Sequence, residues 1–252
     1  MSFANKIVLV TGASAGIGAT TAVMFAKEGA KVVILGRNEA NLKKTADEIK
    51  RIGSTPLVIK ADVSKDEDAK RTIDNTIEKF GKLDVLINNA GVMRLGLLID
   101  NSIIKTYDEM LNTNVRGMVN LTSLAAPHLI KTKGNIINIS SIAGKIHFLP
   151  ALNVYGMSKA AVSHFTRGAA MELSPLGVRV NTISPGLVGT ELTIKAGVDI
   201  PIEEFSKKSL LGKYSSCEEV AELILYLASD KAKSVTGSNY FIDNGLTMGG
   251  ED

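Results

Sequence analysis

The run Lys6-Ile7-Val8-Leu9-Val10-Thr11-Gly12-Ala13-Ser14-Ala15-Gly16-Ile17-Gly18 joins the two patterns that decide the fold. Its first half is continuously apolar and stops at glycine, the mark of a strand buried on both faces. From Gly16 to about Lys27 the period becomes helical, and Gly29 closes the helix. Glycines 12, 16 and 18 let the chain turn sharply and let its backbone approach a ligand closely. They also seat a helix N-terminus, whose free N–H groups and dipole favour phosphate. A glycine turn without a ligand is common. Here a buried strand precedes it, a helix follows it, and both belong to the first βαβ unit, which favours a nucleotide.

Working outward, the same alternation continues along the chain. Strand-like runs are Lys31–Leu35, Thr55–Lys60, Leu83–Ile87, Gly134–Ile139, Val178–Ile183 and Asn239–Ile242. Helical patterns cover about Glu39–Arg51, Asp66–Phe80, Ser102–Lys131 with a break near Asn112 to Asn114, a helix ending near Ser174, and Glu218–Ser229. Short connections between alternating strands and helices predict an α/β fold with a single doubly wound parallel sheet, Rossmann-like, with helices on both faces. No Pro/Ser-rich linker, internal repeat or low-complexity tract divides the chain, so one domain is expected over residues 1–252.

Bulk properties exclude several classes of function. An apolar fraction of 45% and a charged fraction of 22% are those of a soluble globular protein. The net charge is +3 with scattered basic residues, so neither a nucleic-acid face nor a polybasic membrane patch is suggested. Cys217 is the only cysteine, which rules out an intrachain disulfide and a thiol-rich metal cluster and suits a reducing compartment. No long apolar run resembles a signal sequence or a membrane span, and a cytoplasmic protein is the default expectation. His128, His147 and His164 lack metal-ligand spacing and no carboxylate cluster suggests zinc or magnesium, so no metal site is expected.

The second strand ends at Leu35-Gly36-Arg37-Asn38. Dinucleotide-binding folds that take NAD place an acidic residue near here for the ribose hydroxyls. Arginine in its place would pair with a 2′-phosphate that a carboxylate would repel. NADP(H) is therefore the preferred cofactor, with NAD(H) as the alternative. Polar residues also follow the other strand ends: Asp62-Val63, Asn88-Asn89-Ala90-Gly91, Ser140-Ser141 and Ser184-Pro185-Gly186-Leu187-Val188-Gly189-Thr190. All lie at the edge where a doubly wound sheet takes its ligand. Tyr155 and Lys159 stand four residues apart at the start of a helix, so both leave one helical face. A neighbouring ammonium is expected to lower the phenol's pKa and make it usable for proton transfer.

In this order and on these elements, the Thr11–Gly18 loop, Asn88-Asn89-Ala90-Gly91, Asn114, Ser141, Tyr155 with Lys159, and Pro185-Gly186 resemble the classical short-chain dehydrogenase/reductase family. The resemblance runs from about Lys6 to Gly245. It implies a catalytic tetrad of Asn114, Ser141, Tyr155 and Lys159. In those roles Tyr155 passes a proton to or from the substrate oxygen and Ser141 orients that oxygen. Lys159 holds the nicotinamide ribose and stabilises the phenolate. Asn114 sits in the helix break, where a freed backbone carbonyl could hold a relay water. Ser141 is chosen over Ser140 because Ser141-Ile142-Ala143-Gly144 matches the family pattern better, although its separation from Tyr155 looks about one residue longer than in many members.

The resemblance also implies cofactor contacts from Gly12, Ser14, Gly16, Ile17, Gly18, Arg37, Asn38, Asp62, Val63, Asn89, Ala90, Gly91, Tyr155, Lys159, Pro185, Gly186, Val188 and Thr190. Asp62 would accept from the adenine amine, Asn89 and Ala90 would line the adenine-ribose side, and Val188 and Thr190 would meet the carboxamide. Asp62 could instead cap the following helix region, and Thr190 could be an N-cap.

Residues 187–213 carry Leu192, Ile194, Val198, Ile200, Phe205, Leu210 and Leu211, and in the family this position is a substrate lid. With Val92-Met93-Arg94-Leu95 and His147-Phe148-Leu149 they predict an apolar ketone or secondary alcohol as the small-molecule substrate. Family members commonly pair subunits through helices at Asp108–Lys131 and Tyr155–Ser174, so a homodimer or homotetramer is expected. Three readings compete: a dinucleotide-sensing protein without chemistry, an NAD-preferring alcohol dehydrogenase, and a methyltransferase. The first needs the phosphate loop but not the tetrad, and the last has no use for Asn88–Gly91 or the Tyr155/Lys159 pair.

Overall fold

The computed structural model describes residues 2–99, 102–147, 149–190, 192, 204 and 206–248. Its strands are β1 (Ile7–Thr11), β2 (Lys31–Gly36), β3 (Leu57–Lys60), β4 (Val85–Asn88), β5 (Asn135–Ile139), β6 (Arg179–Pro185) and β7 (Asn239–Ile242). The helices are α1 (Gly16–Lys27), α2 (Glu39–Arg51), α3 (Asp66–Phe80), α4 (Ile103–Leu111), α5 (Met118–Thr132), α6 (Asn153–Leu173) and α7 (Cys217–Ala228). They form one seven-stranded sheet in the order β3-β2-β1-β4-β5-β6-β7. Every neighbouring pair is parallel, with Val10 of β1 set between Ile34 of β2 and Ile87 of β4. The chain winds outward from β1 to β3 and then crosses back to β4. That reversal opens a crevice beyond the carboxyl ends of β1 and β4.

Alternate residues of the central strands feed two cores, as a period of two requires. Val8, Val10, Val32, Ile34 and Ile87 meet Phe25, Leu42, Ile49, Val220 and Ile224 of α1, α2 and α7. Leu9, Val33, Leu35, Leu86 and Ile136 meet Ile73, Leu121, Leu129, Ala169 and Leu173 of α3, α5 and α6. All five β1 residues are buried, so the apolar run reads as a two-sided strand because it is one. Edge strand β3 alternates between exposed and buried positions instead.

Helix boundaries have local causes. Asn38 caps α2 by accepting from Asn41 N at 3.0 Å. Ser216 and Glu219 form a reciprocal capping box at α7. The expected break between α4 and α5 is a π-helical turn, Asn112–Gly117, through which the helical path continues. Gly117 is required there: a Cβ would fall 2.5 Å from the carbonyl oxygen of Val63. β3 starts two residues later than expected, at Leu57, and β6 runs on to Pro185 because it pairs with β7 as far as Ile242. Among the described residues no helix is long and apolar enough to cross a membrane. Of the expected lid at 187–213, residues 191, 193–203 and 205 lie outside the described residues, as does Phe148 of the expected substrate wall.

Candidate active site

The loop after β1 is built around its neighbour at the end of β4. Gly12 and Gly16 have φ of 65° and 54°, which favours glycine at both. A Cβ on Gly18 would fall 2.4 Å from both Asn89 Nδ2 and the Gly12 oxygen. Asn89 Nδ2 donates to the carbonyls of Thr11 (2.9 Å) and Gly12 (3.3 Å), and the amides of Asn89 and Ala90 both donate to Thr11 Oγ1 at 2.9 Å. Thr11 was not singled out from the sequence, yet its hydroxyl ties the two strand ends that flank the crevice. The N-terminus of α1 has no side-chain cap and no acidic residue in its first turn. Its N–H groups and dipole end are therefore available to an anion, and these residues fit a dinucleotide pyrophosphate.

On the β2–β3 side, Arg37 Nη1 lies 3.6 Å from Asp62 Oδ2, with 57% and 22% of the two side chains exposed. A pair this open contributes little stability and leaves the guanidinium free to turn to a ligand. Asp62 Oδ1 accepts from Ser64 N (3.0 Å) and Ser64 Oγ (2.8 Å), so the carboxylate is already occupied in holding the turn before α3. The Asn38 side chain is likewise committed to capping α2, although both residues line the crevice.

At the β5–α6 side the two adjacent serines separate. Ser141 turns toward the crevice beside the Tyr155 phenol, and its hydroxyl accepts from Ala143 N at 3.2 Å. Ser140 is buried and its hydroxyl donates to the Lys159 carbonyl oxygen at 2.7 Å. Lys159 Nζ donates to the Ile139 carbonyl oxygen at 2.9 Å and lies 5.7 Å from the centre of the Tyr155 ring. The expected depression of the Tyr155 pKa is corrected here. Burial pushes the phenol up to about 12, opposed only by the neighbouring Ser141 hydroxyl. Burial also brings Lys159 down to about 8. With the ammonium directed at a carbonyl, loss of water outweighs its attraction for a phenolate. At neutral pH Tyr155 is therefore a proton donor.

Asn114 stands in the helix break, within the π-turn. Its side chain accepts from Val92 N (2.8 Å) and donates to the Val92 oxygen (2.9 Å) and Ser158 Oγ (3.0 Å). Ser158 Oγ in turn donates to the Tyr155 carbonyl at 2.7 Å. Asn114 thus braces the wall behind the crevice, while Thr113 faces it. The phenol sits in a small apolar cluster of Val92, Met93, Met110, Ala143, Leu152 and Val154, with Leu149 and Leu192 packed against it. One charged group intrudes. Arg94 lines the crevice and grips Glu109 of α4 through Nε (2.9 Å) and Nη2 (2.5 Å).

All the predicted site residues except Gly18 and Asn114 line one crevice of about 540 Å³. Those two stand immediately behind it, where each sets the backbone of a residue that does line it. Gly16 and Thr190 approach across it, a Cβ on Gly16 falling 3.2 Å from the Thr190 methyl. Thr190 Oγ1 accepts from Leu192 N at 3.4 Å. Gly186 follows β6 where a Cβ would meet Asp243 at 2.8 Å. Among the described residues no group of three or more His, Cys, Asp or Glu side chains could hold a metal ion.

Comparison with known proteins agrees with this geometry. Residues 12–247 match the family model described as enoyl-(acyl carrier protein) reductase. A 3-oxoacyl-[acyl-carrier-protein] reductase of Thermotoga maritima is 35% identical over 249 residues, covering 98% of this chain and 100% of that protein. An A-factor type γ-butyrolactone 1′-reductase of Streptomyces virginiae is 36% identical over 252 residues, 97% of this chain and 96% of the other. Among solved structures, a short-chain dehydrogenase of Burkholderia cenocepacia J2315 in complex with NADP superposes with a TM-score of 0.90 at 30% identity, covering 98% of this chain and 100% of that one.

Proposed function

Since the chain belongs to the short-chain dehydrogenase/reductase family and is an oxidoreductase acting on CH–OH or C=O groups with NAD(P), we propose that it uses NADP(H) to reduce the carbonyl of a small, apolar ketone. The observation that carries this reading is the buried Tyr155 phenol beside the half-buried Ser141 hydroxyl, against an apolar wall in the same crevice as the phosphate loop and Arg37.

When bound, the nicotinamide supplies or accepts the hydride. The protein's own groups do the rest. Ser141 and Tyr155 both hydrogen-bond the substrate oxygen, and Tyr155 gives up its proton to that oxygen as charge develops on it. Lys159 keeps a positive charge beside the phenolate so formed and holds the nicotinamide ribose. Asn114 fixes Val92 at the site wall. Gly12, Ser14, Gly16, Ile17 and Gly18 form the pyrophosphate cradle. Asn38, Asp62, Val63, Asn89, Ala90 and Gly91 line the adenine and ribose path. Pro185, Gly186, Val188 and Thr190 flank the nicotinamide side. Arg37 selects the 2′-phosphate, which is supported by its weak tie to Asp62 and by the lack of an acidic residue at the β2 end. We also propose a homodimer or homotetramer formed through α5 and α6; Met157 and Met171 on α6 are 44% and 81% exposed.

The names of the relatives place a 3-oxoacyl thioester and an A-factor-type lactone first in a panel of ketones. NADPH oxidation is followed over that panel for the native chain and for Tyr155→Phe. The expected result is turnover with apolar ketones that falls by at least about 10²-fold in the variant. Turnover restricted to small charged carbonyl compounds, or unchanged in Tyr155→Phe, would overturn the reading.

A further inference from the structure

Two adjacent serines follow β5, and the reaction as described uses only the second. We propose that Ser140 is a positioning residue: with Gly144 it seats the Lys159–Ala160 peptide of α6 and so fixes where the Lys159 ammonium stands. The inference rests on the role given to Lys159 under the proposed function.

Three consecutive residues each hold a different part of the Tyr155–Lys159 segment. The Ile139 carbonyl receives Lys159 Nζ at 2.9 Å, and Ser140 Oγ donates to the Lys159 carbonyl oxygen at 2.7 Å. The Ser141 hydroxyl stands beside the Tyr155 phenol. Lys159 is therefore gripped at both ends by neighbouring residues of one strand terminus, which sets the span of its side chain. The opposite side of the same peptide is fixed by contact. A Cβ on Gly144 would fall 2.7 Å from Ala160 N and 2.8 Å from the Lys159 carbonyl carbon, so the turn after Ser141 rests directly on it.

Ser140 is itself held in place. Ser163 Oγ lies 3.0 Å from Ser140 Oγ and 3.2 Å from the Lys159 oxygen. Asn239 Nδ2 reaches Ser163 at 3.5 Å, and Ser184 Oγ donates to Asn239 Oδ1 at 2.8 Å. Hydroxyls and an amide from β5, α6, β6 and β7 thus converge behind one backbone carbonyl. Bulk packing needs no such chain. A buried hydroxyl bonded to a carbonyl fixes direction as well as distance, and a misplacement of about 1 Å at a reacting group can cost about 10²-fold in rate.

Three variants test this: Ser140→Ala, Ser140→Thr and Ser163→Ala. Each is read by kcat, by KM for the best ketone of the panel, by NADPH affinity from cofactor fluorescence, and by melting temperature. Ser140→Ala should lower kcat about 10-fold and weaken NADPH several-fold, with KM for the ketone unchanged. Ser140→Thr, which keeps the hydroxyl, should recover most of both. Ser163→Ala, which leaves the Ser140 bond in place, should lose less than Ser140→Ala. A folded Ser140→Ala with native kcat and native NADPH affinity would overturn the proposal, as would losses in Ser140→Ala and Ser163→Ala that simply follow their melting temperatures. If the native chain turns over no ketone, the proposed function fails, and NADPH affinity alone still decides the role of Ser140.

Discussion

Burial acts on the two central side chains in opposite directions. It raises Tyr155 to about 12 and lowers Lys159 to about 8, so just below that range the site holds a neutral phenol beside a cation. For carbonyl reduction this is the competent state, and the group lost first on raising pH is the lysine charge, not the phenol proton. Reduction measured as kcat/KM with NADPH should be flat near neutrality and fall as pH rises through about 8. A plateau persisting to about 10, the range of an ordinary lysine or tyrosine, would disprove the assignment. The same shift has a stability consequence. Because the Lys159 pKa is depressed in the fold, its favourable contribution is present above the ordinary lysine pKa and is lost as pH falls through about 8. At neutral pH the fold therefore carries a buried cation at a net cost, which the single bond to Ile139 only partly offsets. Lys159→Met should abolish turnover yet stabilise the protein at neutral pH by about 1–2 kcal/mol, with the gain shrinking in alkaline melts. Destabilisation at both pH values would contradict it.

At the scale of elements, the π-turn Asn112–Gly117 couples the two ends of the crevice. Thr113 faces the crevice, Asn114 holds Val92, and Gly117 rests on the Val63 carbonyl beside the expected adenine path. Gly117→Ala must push that carbonyl away from a 2.5 Å contact, or unwind the turn. A loss of about 1–3 kcal/mol is expected, as for other overpacked sites, together with weaker NADPH binding measured by fluorescence. Native affinity and a native melting temperature would show that the turn can shift freely. The strands around the crevice were legible in the sequence because buried parallel strands are continuous apolar runs, as Ile7–Thr11 and Lys31–Leu35 show. The glycine loop was legible because its spacing sits between such a strand and a helix. The form of the break at Asn112 was not, since Gly117 owes its necessity to Val63, far away in the chain. The task of Ser140 was equally hidden: the family pattern picks out Ser141 for the phenol, but only the approach of α6 gives its neighbour the Lys159 carbonyl. Tyr155 lines the crevice, but the direction of its pKa shift was not legible, because spacing reports a neighbouring charge and says nothing of the water lost on burial.

Over the whole molecule, the crevice draws on the ends of β1 to β6 and on the start of α1, so it bridges both halves of the doubly wound sheet. A ligand filling it ties the β1–β3 half to the β4–β6 half, and one that binds only the folded chain must stabilise it by mass action. At 100 times its dissociation constant the gain is about 2.7 kcal/mol. For a chain of this size that is a rise of about 5–10 °C in melting temperature. Arg37 sits at the β2 end and its tie to Asp62 is solvent-exposed. The native chain should therefore gain more from NADPH than from NADH at equal concentration. Arg37→Asp should reverse the order, because a carboxylate there repels a 2′-phosphate and can accept from ribose hydroxyls. Thermal melts of both forms with each cofactor make the comparison without any knowledge of the substrate. If Arg37→Asp keeps the native order, the guanidinium does not read the 2′-phosphate, and cofactor choice is set elsewhere along the crevice.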